Sequence, residues 1–141
     1  MPLNVAVVGL GWVATSRHIP AIIRHPGCRL VGVIDREQSK AAAVAERFEL
    51  LNHAASTTLR DVSWFDRVEA VTIGAPPFAH HDLACAALDL GKHVLTEKPF
   101  AMTSAEGKAM CDASCAFEYT AKLGGSRAAR ARGAIMIVER A

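Results

Sequence analysis

The near-continuous apolar run from Leu3 to Val8 passes directly into Gly9-Leu10-Gly11-Trp12-Val13-Ala14. An apolar run without polar alternation suits a parallel strand covered on both faces. The following G-x-G-x-x-A spacing gives each small residue a task. Gly9 permits a tight turn, Gly11 lets the backbone approach a pyrophosphate, and Ala14 lets a helix pack closely on the sheet. Free N–H groups at the helix start, those of Trp12 and Val13, then face phosphate oxygens. Strand, glycine turn and helix in this order leave few folds open.

The rest of the chain repeats the alternation. Trp12 to His25 carries Trp12, Ile19, Ile22 and Ile23 at helical spacing, and Pro20 is expected to kink or restart that helix. Arg29 to Ile34 reads as a second strand. Glu37 to Phe48 places Ala41, Val44, Ala45 and Phe48 on one helical face. Leu51 to Ala54 reads as a short third strand, Thr58 to Val62 as a helical turn, and Ala70 to Ile73 as a fourth strand. Pro77 to Leu90 is predicted as a helix stopped by Gly91, and His93 to Thr96 as a fifth strand. Ser104 is expected to cap a further helix. Strands alternating with helices imply an α/β fold, a doubly wound parallel sheet of Rossmann type, over residues 1–120.

Residues 121–141 differ, with six Ala, four Arg and three Gly. Gly124-Gly125-Ser126 reads as a break, and only residues 134–138 look like a strand.

Two charged positions stand at predicted strand ends. Asp35 ends the second strand, 21 residues beyond Ala14. A carboxylate there can accept hydrogen bonds from the ribose hydroxyls of an adenosine. It would repel a 2′-phosphate, which favours NAD. The adjacent Arg36 could instead pair with that phosphate or lie over the adenine, which keeps NADP open. Lys98 ends the fifth strand, because the ring of Pro99 pushes it toward extended geometry. Its ammonium should point out of the sheet at the rim where open α/β sheets bind ligands.

Composition narrows the class. With 141 residues, 51% hydrophobic and 21% charged at a net charge of +2, the chain has the make-up of one globular domain. Its apolar runs are too short for a membrane span, and its start shows no secretory signal. Cys28, Cys85, Cys111 and Cys115 form no Cys-x-x-Cys pair and are expected to be buried reduced thiols. Cytoplasm is the expected compartment.

Three segments together resemble the Gfo/Idh/MocA family of oxidoreductases: Val5 to Ala14 with His18-Ile19-Pro20-Ala21, Ala75-Pro76-Pro77 with His80, and Gly91 to Pro99 with its Glu97-Lys98-Pro99 motif. The resemblance runs from about Asn4 to Met110. It implies the nucleotide-binding half of a dehydrogenase acting on sugars, cyclitols or related hydroxy compounds. It implies cofactor contacts from Ala75, Pro76 and His80, and a place for Glu97 and Lys98 at the nicotinamide end. Lys98 would hydrogen-bond the reacting substrate oxygen, and the Lys98–Pro99 bond is often cis in the family. Two departures stand out. Ala75-Pro76-Pro77 replaces the usual Thr-Pro-Asn, which leaves mainly backbone contacts there. A second, sheet-rich domain with a proton-accepting histidine has no counterpart after His93. A truncated or frame-shifted chain is the expectation, tested by the downstream DNA. Self-association into a homo-oligomer, or another polypeptide, would have to complete the pocket.

Other candidates carry less. His80 and His81 point about 100° apart on a helix and cannot share a metal ion. His18, His25 and His53 have no partners at ligand spacing. Trp12 and Trp64 read as packing residues. Glu97 either orients Lys98 as an ion pair or contacts the cofactor. The basic tail (Lys122, Arg127, Arg130, Arg132, Arg140) lacks interleaved aromatics, which argues against nucleic acid as a partner.

Overall fold

In the computed structural model, residues 1–123 and 135–137 are described, with side chains through Ser114. Leu3–Val8 is the central strand β1. From Val5 onward it is apolar because it feeds two cores: Ala6 and Val8 pack into one, Val7 into the other. Strand β2, Cys28–Asp35, divides in the same way, with Ile34 on the first side and Val33 on the second. The other strands are β3 (His53–Ala55), β4 (Ala70–Ile73), β5 (His93–Thr96) and β6 (Ile135–Ile137). All pairings are parallel, in the order β3-β2-β1-β4-β5-β6.

Helices α1 (Ile19–Arg24) and α2 (Gln38–Arg47) cover the Val7 face through Ile19, Ala41, Val44 and Ala45. Helices α3 (His80–Asp89) and α4 (Ser104–Leu123) cover the opposite face through Ala84, Ala87, Leu88 and Met110. The sheet is doubly wound. The chain leaves β1 toward β2 and β3, then returns to place β4 on the other side of β1. Between β1 and β4 the strand order reverses, and the loops at their carboxyl ends part to leave a crevice.

Local deviations from the sequence reading have physical causes. Pro20 falls in the first turn of α1, where the winding restarts as an α-helix. Ala14–His18 is wound as a π-helix, with Ile19 N–H bonding the Ala14 carbonyl, and continues directly into α1. The wider winding makes room where a proline ring would crowd the preceding turn. The third strand starts later than expected, because Asn52 turns its side-chain amide onto the Val31 carbonyl at 2.7 Å and Leu51 is 97% exposed.

Helix α4 is capped by Thr103, not Ser104. Thr103 Oγ1 accepts the Glu106 N–H at 3.1 Å, while the Glu106 carboxylate accepts the Met102 N–H at 2.9 Å. Gly91 does stop α3: at φ +75° it allows Lys92 N–H to reach Ala87 O and Gly91 N–H to reach Leu88 O. The cysteines are less buried than expected, with Cys28 and Cys85 half-buried and Cys111 exposed. β6 falls within the 134–138 stretch read as a strand. The Gly124-Gly125-Ser126 break, the tail arginines and the Cys115 side chain lie outside the described residues.

Candidate functional site: a cleft at the switch point

Gly9 and Gly11 serve the turn after β1 in different ways. Gly9 has φ +84°, and a Cβ on it would lie 2.3 Å from Ala75 N. Only glycine lets this turn and the loop after β4 come so close. A Cβ on Gly11 would meet nothing nearer than Gly74 O at 3.8 Å. Its hydrogen therefore faces open space, which the fold itself does not require. Thr15 N–H bonds Gly11 O at 3.1 Å and closes the first helical turn. The amides of Trp12 and Val13, ahead of it, have no carbonyl of their own helix to bind.

Asp35 fixes this turn. It is buried; its Oδ2 accepts the Leu10 N–H at 2.9 Å and its Oδ1 the Glu37 N–H at 3.0 Å. Lys40 Nζ stands 4.0 Å from Oδ2. A carboxylate offers about four acceptor directions, so two backbone donors leave capacity for a ligand hydroxyl. Around these groups lies a cleft of about 510 Å³. Gly9, Gly11, Gly74, Ala75 and Pro76 form its floor at the switch point, and Asp35, Arg36, Lys40 and Ser56 one end. Phe78 and Leu83 supply an apolar wall. Lys40, Ser56, Phe78 and Leu83 carry no motif and were not legible as site residues.

Trp12 does not pack in the core. It is 65% exposed, with the Arg17 guanidinium 5.8 Å from its ring, so any part it plays at the turn comes from its backbone N–H. Trp64 does pack, close enough to Gly32 that a Cβ there would lie 2.6 Å from its ring.

On the other side of β4, the end of β5 carries the second group. The Lys98–Pro99 bond is cis, and Lys98 is exposed. Glu97 does not pair with Lys98. Adjacent residues in extended chain point to opposite sides, and Glu97 Oε1 instead meets His18 Nε2 at 2.6 Å. Among the described residues Lys98 makes no ion pair. His18 was missed because 79 positions separate it from Glu97, and no local spacing encodes that contact.

His80 is turned inward. Its buried ring meets Pro99 O at 2.8 Å through Nδ1 and Ala75 O at 2.9 Å through Nε2. The two ring nitrogens thus face carbonyls, one in each loop beside the cleft, and in the neutral ring the one that carries the proton donates. His80 acts on the site through those loops.

Residues 3–116 match the oxidoreductase family with an NAD-binding Rossmann fold, Gfo/Idh/MocA. The chain belongs to that family. It is 37% identical over 100 residues to an uncharacterized oxidoreductase of Synechocystis sp., covering 71% of this chain and 26% of the relative. It is 32% identical over 111 residues to D-glucoside 3-dehydrogenase of Escherichia coli, covering 79% and 31%. Among solved structures, the 3-ketoreductase KijD10 of Actinomadura kijaniata in complex with NADP superposes with a TM-score of 0.74 at 25% identity, covering 97% of this chain and 38% of that one. The chain thus spans roughly a third of the length of the Gfo/Idh/MocA proteins it matches. Among its described residues, no helix is long and apolar enough to cross a membrane.

Proposed function

We propose that residues 1–120 hold NAD(H) across the switch point and form the cofactor half of an oxidoreductase acting on a sugar, cyclitol or related hydroxy compound. The observation that carries this reading is the open space over Gly11 beside helix-start amides with no partner in their helix. A side chain would fill that space, whereas a pyrophosphate fits it and takes up the amides. Asp35 then accepts the adenosine ribose hydroxyls, and the apolar wall of Phe78 and Leu83 borders the adenine. Its negative charge selects against a 2′-phosphate, so NAD is preferred. Arg36, Lys40 and Ser56 at the same end, together with NADP in the complex of the Actinomadura relative, support some acceptance of NADP.

With adenosine over β2 and the pyrophosphate at the turn after β1, the nicotinamide extends toward β4 and β5. Bound nicotinamide would supply the hydride acceptor or donor. Lys98, exposed and without an ion pair among the described residues, would donate a hydrogen bond to the reacting carbinol oxygen and stabilise negative charge developing there. The hydroxyl proton needs a positioned acceptor, and none of the described residues around Lys98 is assigned that role. The sugar substrate of the Escherichia coli relative supports the substrate class.

A second reading is a nucleotide-binding module without turnover. Calorimetric titration with NADH and NADPH tests the proposal, with saturable binding expected and NADH the tighter. Absence of binding by either nucleotide overturns it. Turnover assays on polyols then separate a catalytic chain from a binding module.

A further inference from the structure

We propose that His18 is a positioning residue that holds Glu97 for the nicotinamide side of the dinucleotide. This rests on the dinucleotide reading above. The contact between His18 Nε2 and Glu97 Oε1 is 2.6 Å, and each side chain is 13% exposed. A proton lies between the two atoms at that distance, and with the carboxylate ionised it is the imidazole's: His18 donates from Nε2 and Glu97 accepts through Oε1. Charge-assisted bonds of this length are among the stronger ones in proteins.

The backbone brings the pair together by an unusual route. His18 is the last residue of the π-helical turn that follows the glycine turn, and Glu97 follows β5. An α-helical winding would rotate each residue by about 100° per step. The slower rotation of a π-turn redirects the residues that follow it, and single π-turns recur at functional sites. Here the turn lets one helix serve two ends of a ligand. Its first amides face the pyrophosphate position, and its fifth π-helical residue reaches across to β5.

The consequence is chemical. Bonding through Oε1 leaves Oε2 of Glu97 with its acceptor directions for a ribose hydroxyl on the nicotinamide side. The cleft lined by Asp35, Arg36, Lys40 and Ser56 includes none of His18, Glu97 and Lys98 along its length. The two ends are therefore separable by experiment.

The full chain is titrated with NADH and, separately, with ADP, which carries the adenosine and pyrophosphate but no second ribose. Variants His18→Ala, His18→Gln, Glu97→Gln and His18→Ala/Glu97→Gln are compared. His18→Ala is expected to weaken NADH about tenfold while ADP binding stays within about twofold. His18→Gln, which keeps a donor, recovers most of the loss. In the Glu97→Gln background, His18→Ala costs little more. Equal weakening of NADH and ADP in His18→Ala would show a merely structural role and overturn the assignment. So would unchanged NADH affinity in His18→Ala. Unchanged ADP affinity also reports that the variants are folded. If the unmodified chain binds ADP but not NADH, the His18 assignment fails alone. If it binds neither, the dinucleotide reading fails and the assignment falls with it.

Discussion

Gly9→Ala and Gly11→Ala add the same methyl group to the same turn and should give opposite phenotypes. At Gly9 the new Cβ falls 2.3 Å from Ala75 N and 2.4 Å from Ala75 Cα, both backbone atoms. Relief requires moving the loop after β4, and the φ of +84° adds left-handed strain of about 1–2 kcal/mol. A total loss of more than about 3 kcal/mol is expected, in the range of severe core substitutions. At Gly11 the nearest contact would be ordinary, 3.8 Å from Gly74 O, with no positive φ. Stability should stay level or rise by up to about 1 kcal/mol, since alanine restricts the unfolded chain. Its methyl instead occupies the pyrophosphate position. Losing one charge-assisted hydrogen bond costs about 1.5–3 kcal/mol, or about 10- to 100-fold in Kd. Urea unfolding and NADH titration on both variants give the comparison. Wild-type NADH affinity in a folded Gly11→Ala protein would refute the assignment of the open space to a phosphate.

Three further outcomes follow from named groups. Asp35→Ser should raise the NADPH-to-NADH affinity ratio about tenfold, or ~1.4 kcal/mol. It should also cost about 1–3 kcal/mol of stability, because the Leu10 and Glu37 amides lose their acceptor; paired titrations and urea melts read both effects. Thr96 Oγ1 is buried with no hydrogen-bond partner among the described residues, so Thr96→Val should raise unfolding free energy by about 1 kcal/mol in urea. Burial, aided by Asp89 and Asp82, raises the Cys85 thiol above its usual range. Less thiolate forms at a given pH, so peptide mapping after iodoacetamide at pH about 8 should show Cys85 labelled well after exposed Cys111.

The sheet was legible in the sequence because each buried strand is a short apolar run bounded by turn residues. Leu3–Val8, Ala70–Ile73 and His93–Thr96 need nothing else. The glycine turn and Asp35 were legible because their tasks depend on local backbone and fixed spacing. The π-turn was not, since the same apolar spacing suits an α-helix and Pro20 suggests a break. Thr103 and Ser104 are both good capping residues, and only the backbone path decides between them. The ion-pair alternative for Glu97 failed for a similar reason. Lys98 is its neighbour in sequence, whereas His18 becomes its neighbour only after the chain has laid down β2, β3, β4 and β5. Trp12 was misread because helical spacing counts it with Ile19 and Ile22, although it precedes the turn that faces the sheet.

The most direct test of the cofactor site is a residue-resolved titration of the ¹⁵N-labelled chain with NAD⁺. The site geometry predicts saturable shifts largest at the amides of Gly11, Trp12 and Val13, with Asp35 and Glu97 moving in step. Saturable shifts confined to residues far from the turn after β1, or none at any NAD⁺ concentration, would contradict a dinucleotide at this switch point.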